Sequence, residues 1–122
     1  MFRYEKKFID RYSFFDRSKE SHKIMSRYPD RLPIICEKNL SDIETPDIDK
    51  HKYLVPSNIT LGQFMYVIRR RIRLPASSAL FLFVGDDKTV LPVGLEMEYV
   101  YHRFKNKDGF LYIMYSKESV FG

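Results

Sequence analysis

Residues 46–74 read PDIDKHKYLVPSNITLGQFMYVIRRRIRL, and this stretch decides the fold. It opens as a loop rich in Asp and Lys and tightens into the apolar run Tyr53-Leu54-Val55, stopped by Pro56. Thr60 then begins a helix. Thr60 and Gln63 have the spacing of a capping box, in which each side chain satisfies an orphan backbone N–H of the other residue. Leu61, Phe64 or Met65, Ile68 and Ile72 recur at helical spacing, so one face of the helix is apolar. Arg69, Arg70, Arg71 and Arg73 are expected in its last turn, where cations complement the partial negative charge of a helix C-terminus. Pro75 is expected to end it. A short strand followed by such a helix requires a sheet for the helix to cover.

The flanks supply that sheet. Arg31–Lys38, RLPIICEK, reads as a strand with Leu32, Ile34 and Cys36 on one face and Pro33 and Ile35 on the other. Both faces are apolar, so both need a cover. The helix after Thr60 is expected on one side and the N-terminal segment on the other. Residues 1–13 read as a short amphipathic helix with Phe8, Ile9 and Tyr12 on one side. A second helix, capped by Ser13 or Asp16, is expected to run to about Tyr28, with sparse apolar positions at Phe15, Ile24, Met25 and Tyr28. Pro29-Asp30 is a turn signal. The strand 52–55 is expected at a sheet edge, because Pro56 cannot donate to a ladder. Residues 79–84, ALFLFV, form the continuous apolar run of a buried strand. Gly85-Asp86-Asp87 turns it into a brief return at Val90-Leu91. A short helix is expected over residues 95–102, with Leu95, Val100 and Tyr99 inward. Asp108-Gly109 turns into a last strand over 110–115, FLYIMY, apolar on both faces. Residues 116–122 read as an extended tail. The order is two helices and then ββαββ with a small extra helix. That is an α+β chain with a ubiquitin-like β-grasp sheet, with residues 1–28 a helical extension and 29–122 the ubiquitin-like domain of one compact unit.

Composition is consistent with this and narrows the function. A chain of 122 residues, 44% hydrophobic and 16% aromatic, can bury a core and fits one domain. No run of about 18 apolar residues is present. The evenly charged N-terminus does not resemble a signal peptide. One cysteine excludes an internal disulfide framework and suits a reducing compartment. The net charge of +5 is unevenly placed. Residues 1–31 carry +4, residues 32–49 carry −4, residues 50–85 carry +6 with no carboxylate, and the remainder carries −1. A basic helix and edge fit an acidic partner, an anionic membrane or nucleic acid, and equally a solvated face.

No catalytic constellation is found. His22, His51 and His102 are scattered, with no metal-ligand spacing and no expected metal or cofactor. Cys36 lies within an apolar strand and reads as a structural thiol. The carboxylates of residues 42–49 lack EF-hand spacing and read as solvated loop charge. No phosphate-binding loop or nucleophile elbow occurs, so the chain is expected not to be an enzyme.

Four stretches carry a family resemblance: YPDRLPIICEK (28–38), DKHKYLVPSNITLGQFMYVIRRRI (49–72), ALFLFV (79–84) and KDGFLYIMYSKESVFG (107–122). They resemble the autophagy ubiquitin-like modifiers, the family of the GABA type A receptor-associated protein and the microtubule-associated light chain proteins. The likeness runs from about Phe15 to the end, with small insertions near Glu44-Thr45 and near residues 86–89. The resemblance implies two helices on a ubiquitin fold and conjugation of a C-terminal glycine, here Gly122, to phosphatidylethanolamine of autophagosomal membranes. It implies activating and conjugating enzymes that carry the glycine as a thioester, and a delipidating protease. It places the chain in the cytoplasm with a lipid-anchored pool on autophagosomal or related membranes. It also implies binding of cargo receptors and autophagy proteins through aromatic-x-x-aliphatic motifs, which add a strand to the exposed edge. The first motif pocket maps onto Glu20, Ile24, Pro33, Ile35, Lys52, Leu54 and Phe110. The second maps onto Tyr53, Val55, Pro56, Ile59, Phe64 and Val67. Arg31, Lys52 and Arg71 would meet the motif's acidic flank. Ordinary core is the plainer reading of the apolar members, and for Phe64 it weighs equally; for the cations it is surface charge.

The chain departs from many family members in having nothing after Gly122, where a protease commonly removes residues, and in an N-terminus enriched in Phe2, Phe8, Ile9 and Phe14 that is free to meet membrane or self-associate. Two other readings remain open. One is an unconjugated binding module of the same fold in vesicle traffic or cytoskeletal attachment. The other, less favoured, is a basic nucleic-acid-binding domain built on Tyr66 and the arginines.

Overall fold

The computed structural model describes residues 6–85 and 89–117. Among them the order is α1 (Phe8–Arg11), α2 (Phe14–Arg27), β1 (Arg31–Lys38), β2 (Lys52–Pro56), α3 (Leu61–Arg71), β3 (Phe81–Val84), β4 (Thr89–Val90), α4 (Met97–Phe104) and β5 (Leu111–Ser116). The strands form one sheet in the order β2-β1-β5-β3-β4. The central pair, β1 and β5, is parallel, and the other neighbours are antiparallel. This is the β-grasp expected from the sequence. The brief return near Val90 is a true two-residue fifth strand.

Alternation along the strands builds two cores. Leu32, Ile34 and Cys36 of β1, with Leu111, Ile113 and Tyr115 of β5, join Leu61, Phe64, Ile68 and Ile72 of α3 in the larger one. Ile35 on the opposite face of β1 meets Phe110, and Phe8 of α1 covers both, with Ile24 and Tyr112 packed alongside. The sheet is therefore sandwiched, as two apolar faces on the central strands demand. The Thr60 hydroxyl accepts from the Gln63 N–H at 3.2 Å, and the Gln63 side chain accepts from the Thr60 N–H at 2.8 Å, so the capping box sets where α3 starts.

The smaller core is clasped by a buried polar knot. The Asp108 carboxylate is 1% exposed. It pairs with the Arg17 guanidinium of α2, accepts from the Tyr112 hydroxyl at 2.5 Å and accepts from the Phe110 N–H at 2.8 Å. The Ser21 hydroxyl donates to the Asp108 carbonyl. Gly109 follows at φ +91°, and a Cβ there would lie 2.4 Å from the Ser21 oxygen. Only glycine admits α2 this close to the turn.

Several sequence expectations are corrected. The first helix is described only as the single turn Phe8–Arg11. Ser13, not Asp16, caps α2, accepting from the Asp16 N–H. The side chains α2 buries are polar, Arg17 and Ser21, whereas Phe15 is 72% exposed; the knot with Asp108, not an apolar stripe, orients this helix. Arg73 lies beyond α3 at φ 55°, a left-handed residue closing the helix C-terminus before Pro75 is reached. The strand ALFLFV starts at Phe81. The small helix begins at Met97, two residues later than its apolar pattern suggests, and buries Met97, Val100 and Tyr101 while Tyr99 faces outward.

Arg17→Met tests the knot. Removing one partner strands a buried carboxylate, which costs about 3–5 kcal/mol. Denaturant unfolding should show a loss of that size for Arg17→Met and a much smaller loss for Arg17→Lys.

Candidate functional site

The outer edge of β2 has no strand neighbour among the described residues, so its backbone groups on that side, apart from the Leu54 carbonyl that accepts from Arg31, are open to an added strand. β2 pairs only with β1, with Pro33 opposite Leu54 and Ile35 opposite Lys52. Tyr53 and Val55 point into the larger core, while Lys52, Leu54 and Pro56 alternate to the other face and are half-buried. The edge thus separates two apolar sites, one toward α2 and one toward α3.

On the α2 side the residues expected to form the first pocket converge. Pro33 and Ile35 flank Leu54 and Lys52 across the ladder. The Lys52 ammonium pairs with the Glu20 carboxylate of α2. Ile24 packs against the cluster that Phe8, Ile35 and Phe110 form. A residue missed by sequence reasoning completes the site. Phe8 sets its ring 5.2 Å from that of Phe110, edge to face, and the Lys52 ammonium lies 5.9 Å from its centroid. The surplus of aromatics in the N-terminus was visible in the sequence. Nothing in their spacing said which one would fold back.

On the α3 side the six expected residues divide. Tyr53, Val55 and Phe64 are core, with the Tyr53 and Phe64 rings edge to face at 5.7 Å. The core reading of Phe64 holds. Pro56 and Ile59 are half-buried, and Val67 is 43% exposed. Of the six, Pro56, Ile59 and Val67 thus reach the surface, and Tyr53, Val55 and Phe64 are buried. The cations expected beside the groove all have internal partners. Arg31 donates to the Leu54 carbonyl at 3.1 Å, Arg71 pairs with Asp49 at 3.0 Å, and Lys52 holds Glu20. Exposed pairs of this kind contribute about 0–1 kcal/mol, so an incoming carboxylate can exchange for them. Arg69 donates to the Ser78 carbonyl at 2.7 Å, and Arg70 lies over Tyr66 at 5.8 Å. Much of the basic run of α3 is thus occupied within the fold.

The approach to the tail is built separately. Asp42, expected to be solvated loop charge, is buried. Its carboxylate accepts from the Lys117 N–H at 2.8 Å, the Ser116 hydroxyl at 3.2 Å, the Thr45 hydroxyl at 2.5 Å and the Thr45 N–H at 3.0 Å. Burial alone would raise its pKa, but these hydrogen bonds outweigh it and bring the value down to about 2. The Tyr115 hydroxyl also donates to the Pro46 carbonyl. The loop after β1 thereby grips the end of β5. Gly122 lies outside the described residues. Cys36 is fully buried, and burial first of all pushes its thiol pKa up, so it is poorly placed to act as a nucleophile. No group of His, Cys, Asp and Glu among the described residues could hold a metal, and no described helix is long and apolar enough to cross a membrane.

Comparison with known proteins matches this architecture. Residues 16–122 match a family model described as autophagy protein Atg8, ubiquitin-like. The chain is 50% identical to autophagy-related protein 8 of Kluyveromyces lactis over 116 residues, covering 94% of the chain and 90% of that protein. It is 51% identical to autophagy-related protein 8 of Saccharomyces cerevisiae, covering 94% of the chain and 96% of that protein. The crystal structure of Trypanosoma brucei ATG8 superposes with a TM-score of 0.85 at 44% identity, covering 98% of this chain and all of that one.

The grip on the tail carries an acid-stability signature. The pKa of Asp42 is depressed in the folded state, so its contribution is present above the unfolded value near 4 and is lost as pH falls from about 4 to 2. Urea unfolding across that window should show a loss of about 2 kcal/mol attributable to this group. In Asp42→Asn stability at neutral pH should be lower and the decline between pH 4 and 2 shallower.

Proposed function

This chain belongs to the ubiquitin-like Atg8 family of autophagy proteins, and from that premise we propose that it is a modifier joined through Gly122 to phosphatidylethanolamine and a reader of aromatic-x-x-aliphatic motifs. The observation that carries the second half is the open edge of β2 with an apolar site on either side. A short peptide added to that edge gains backbone hydrogen bonds with little sequence preference. Preference comes from two side chains entering the two sites, each worth about 1.5–3 kcal/mol when fully buried. Affinity on the order of micromolar follows, about −8 kcal/mol. An acidic flank on the peptide suits Arg31, Lys52 and Arg71.

The conjugation half rests on family membership and on chemistry. An activating and then a conjugating enzyme present the Gly122 carbonyl as a thioester. The lipid amine attacks that carbon, a C–N bond forms, the C–S bond breaks and the enzyme thiol leaves. Glycine suits the step because no Cβ crowds the carbonyl or a narrow enzyme channel. A delipidating protease would hydrolyse the C–N bond, water leaving Gly122 as a carboxylate and freeing the lipid amine. The protein then has a cytoplasmic pool and a pool on autophagosomal or related membranes held by the lipid's acyl chains. Catalysis belongs to the enzymes, and this chain acts as modifier and adaptor.

Conjugation and motif binding separate experimentally. Deletion of Gly122 should leave the melting temperature unchanged and abolish membrane attachment, read by flotation and by mass spectrometry of the membrane-bound protein. Attachment that survives the deletion would leave the unconjugated binding module as the better reading. For the groove, calorimetry with a motif peptide should show about tenfold weaker binding for Leu54→Ala and for Val67→Ala, each with thermal melts as the folding control. Lys52→Glu should weaken acidic peptides, with a stability loss of about 1 kcal/mol from the lost pair with Glu20 and the like charges set side by side. Unchanged affinity in Leu54→Ala and Val67→Ala would remove the groove as the recognition site.

A further inference from the structure

We infer that the first pocket is occupied by the chain's own Phe8, so that motif ligands compete with the N-terminal segment for it; this rests on the motif-reading function proposed above. The argument begins with burial. Ile35 and Phe110 are each 0% exposed. An aromatic anchor can reach them only if whatever covers them moves. Phe8 covers them, itself 7% exposed and packed in one cluster with both. It stands where the peptide's ring would stand, edge to face with Phe110 and below the Lys52 ammonium.

The surrounding sequence makes Phe8 a weak occupant. Phe8-Ile9-Asp10-Arg11 offers an aromatic residue but places Arg11, not an aliphatic residue, three positions on. Lys6 and Lys7 precede it where a motif ligand would carry acids. The segment thus engages one pocket of two and lacks the flank that Arg31 and Lys52 attract. Among the described residues its polar hold on the sheet is small. Beyond the ring contacts, the Phe8 N–H donates to the Glu37 carboxylate at 3.0 Å and the Lys7 ammonium donates to the Lys38 carbonyl. α1 is a single turn with no side-chain cap, and a helix so short has little stability of its own. The segment is also loosely backed. A cavity of about 420 Å³ borders it, lined among others by Lys7, Ile9, Glu37 and Tyr112. A peptide with both anchors and an acidic flank can therefore displace the segment, whereas a peptide with only the aromatic anchor meets a filled site. Phe8 acts as a threshold on which ligands are read.

A binding site that is open only a fraction of the time has its apparent affinity reduced by that fraction. The test uses the full chain and a synthetic peptide with two aspartates before a Trp-x-x-Leu core. Phe8→Ala should bind it about tenfold more tightly than the parent, as expected for a site open about a tenth of the time. Glu37→Gln, which loosens the segment without touching the pocket, should bind more tightly by a smaller factor. In the parent, saturating peptide should accelerate hydrogen exchange at the Phe8 amide, whose acceptor is Glu37. Amide exchange and Glu37→Gln decide the matter if Phe8→Ala does not fold. If peptide binds the parent through Leu54 and Val67 while the Phe8 amide keeps its protection, Phe8 is a fixed wall and the occupancy is refuted, with the motif-reading function intact. If neither the parent nor either variant binds the peptide, the motif-reading function falls and the occupancy with it.

Discussion

Asp108 is the constraint on which the arrangement of this molecule depends. A carboxylate with almost no exposure is costly unless its oxygens are satisfied. Here they are met by Arg17, Tyr112 and the Phe110 N–H. Those partners come from α2, from β5 and from the turn that starts β5. One charge thus sets where α2 lies against the sheet. The missing Cβ of Gly109 lets α2 come close enough for Ser21 to bond the adjacent carbonyl. A helix with so few apolar residues would not otherwise choose one orientation on a sheet. Everything on the α2 side of the groove, including Glu20 and Ile24, inherits its position from this knot.

The second constraint is the sheet itself. β1 and β5 are apolar on both faces because each face has a cover, α3 on one and the N-terminal helices on the other. The cover reaches the central strands and leaves the β2 edge uncovered. An uncovered edge is a hazard in most proteins. Here it is short, with Lys52 at its start and Pro56 at its end, two features that discourage pairing with another sheet. A peptide of a few residues can still use the backbone groups between them. The edge therefore favours a short ligand over an extended partner strand.

How much of this was legible in the sequence follows from the physics of each element. β1 was read to the residue, because an eight-residue run that is apolar on both faces between a turn signal and a polar loop has few alternatives. α3 was legible at its start, because a capping box is local chemistry. Its end was misplaced by Arg73, whose left-handed conformation is set by how the chain leaves the helix. α4 was shifted by two residues, since Leu95 is apolar and partly buried but precedes the helix. Asp42, Arg17 and Asp108 were not legible as a set. Arg17 and Asp108 meet across 91 residues, and Asp42 meets Ser116 and Lys117 across 74 and 75, and no local pattern marks so distant a partner. The two pockets were drawn on the strength of a resemblance. Strand alternation independently put Pro33, Ile35 and Leu54 on one face and Tyr53 and Val55 on the other. Phe8 was read with Ile9 and Tyr12 as the apolar side of a short helix, but that pattern does not say which ring packs against Ile35 and Phe110.

The tail and the groove are held by different devices, and the difference bears on how one small domain can do both tasks. Asp42 grips Lys117 and Ser116 from the loop after β1, whereas the groove depends on the β2 edge, α3 and the Asp108 knot. The two sets share no side chain. A protein tethered at its end gains a high local concentration at a surface while its other faces remain free. If the proposed function holds, anchoring would need no conformational signal to reach the groove, and ligand binding at the edge would not disturb a bond at the tail. What adjusts the groove is local to it. The cations beside it are held by weak exposed pairs, and Phe8, proposed to fill its first pocket, sits on a single turn with no side-chain cap. Rigid supports around exchangeable partners would suit the proposed adaptor role, since the supports fix the register while the partners could yield to a ligand that engages both proposed pockets.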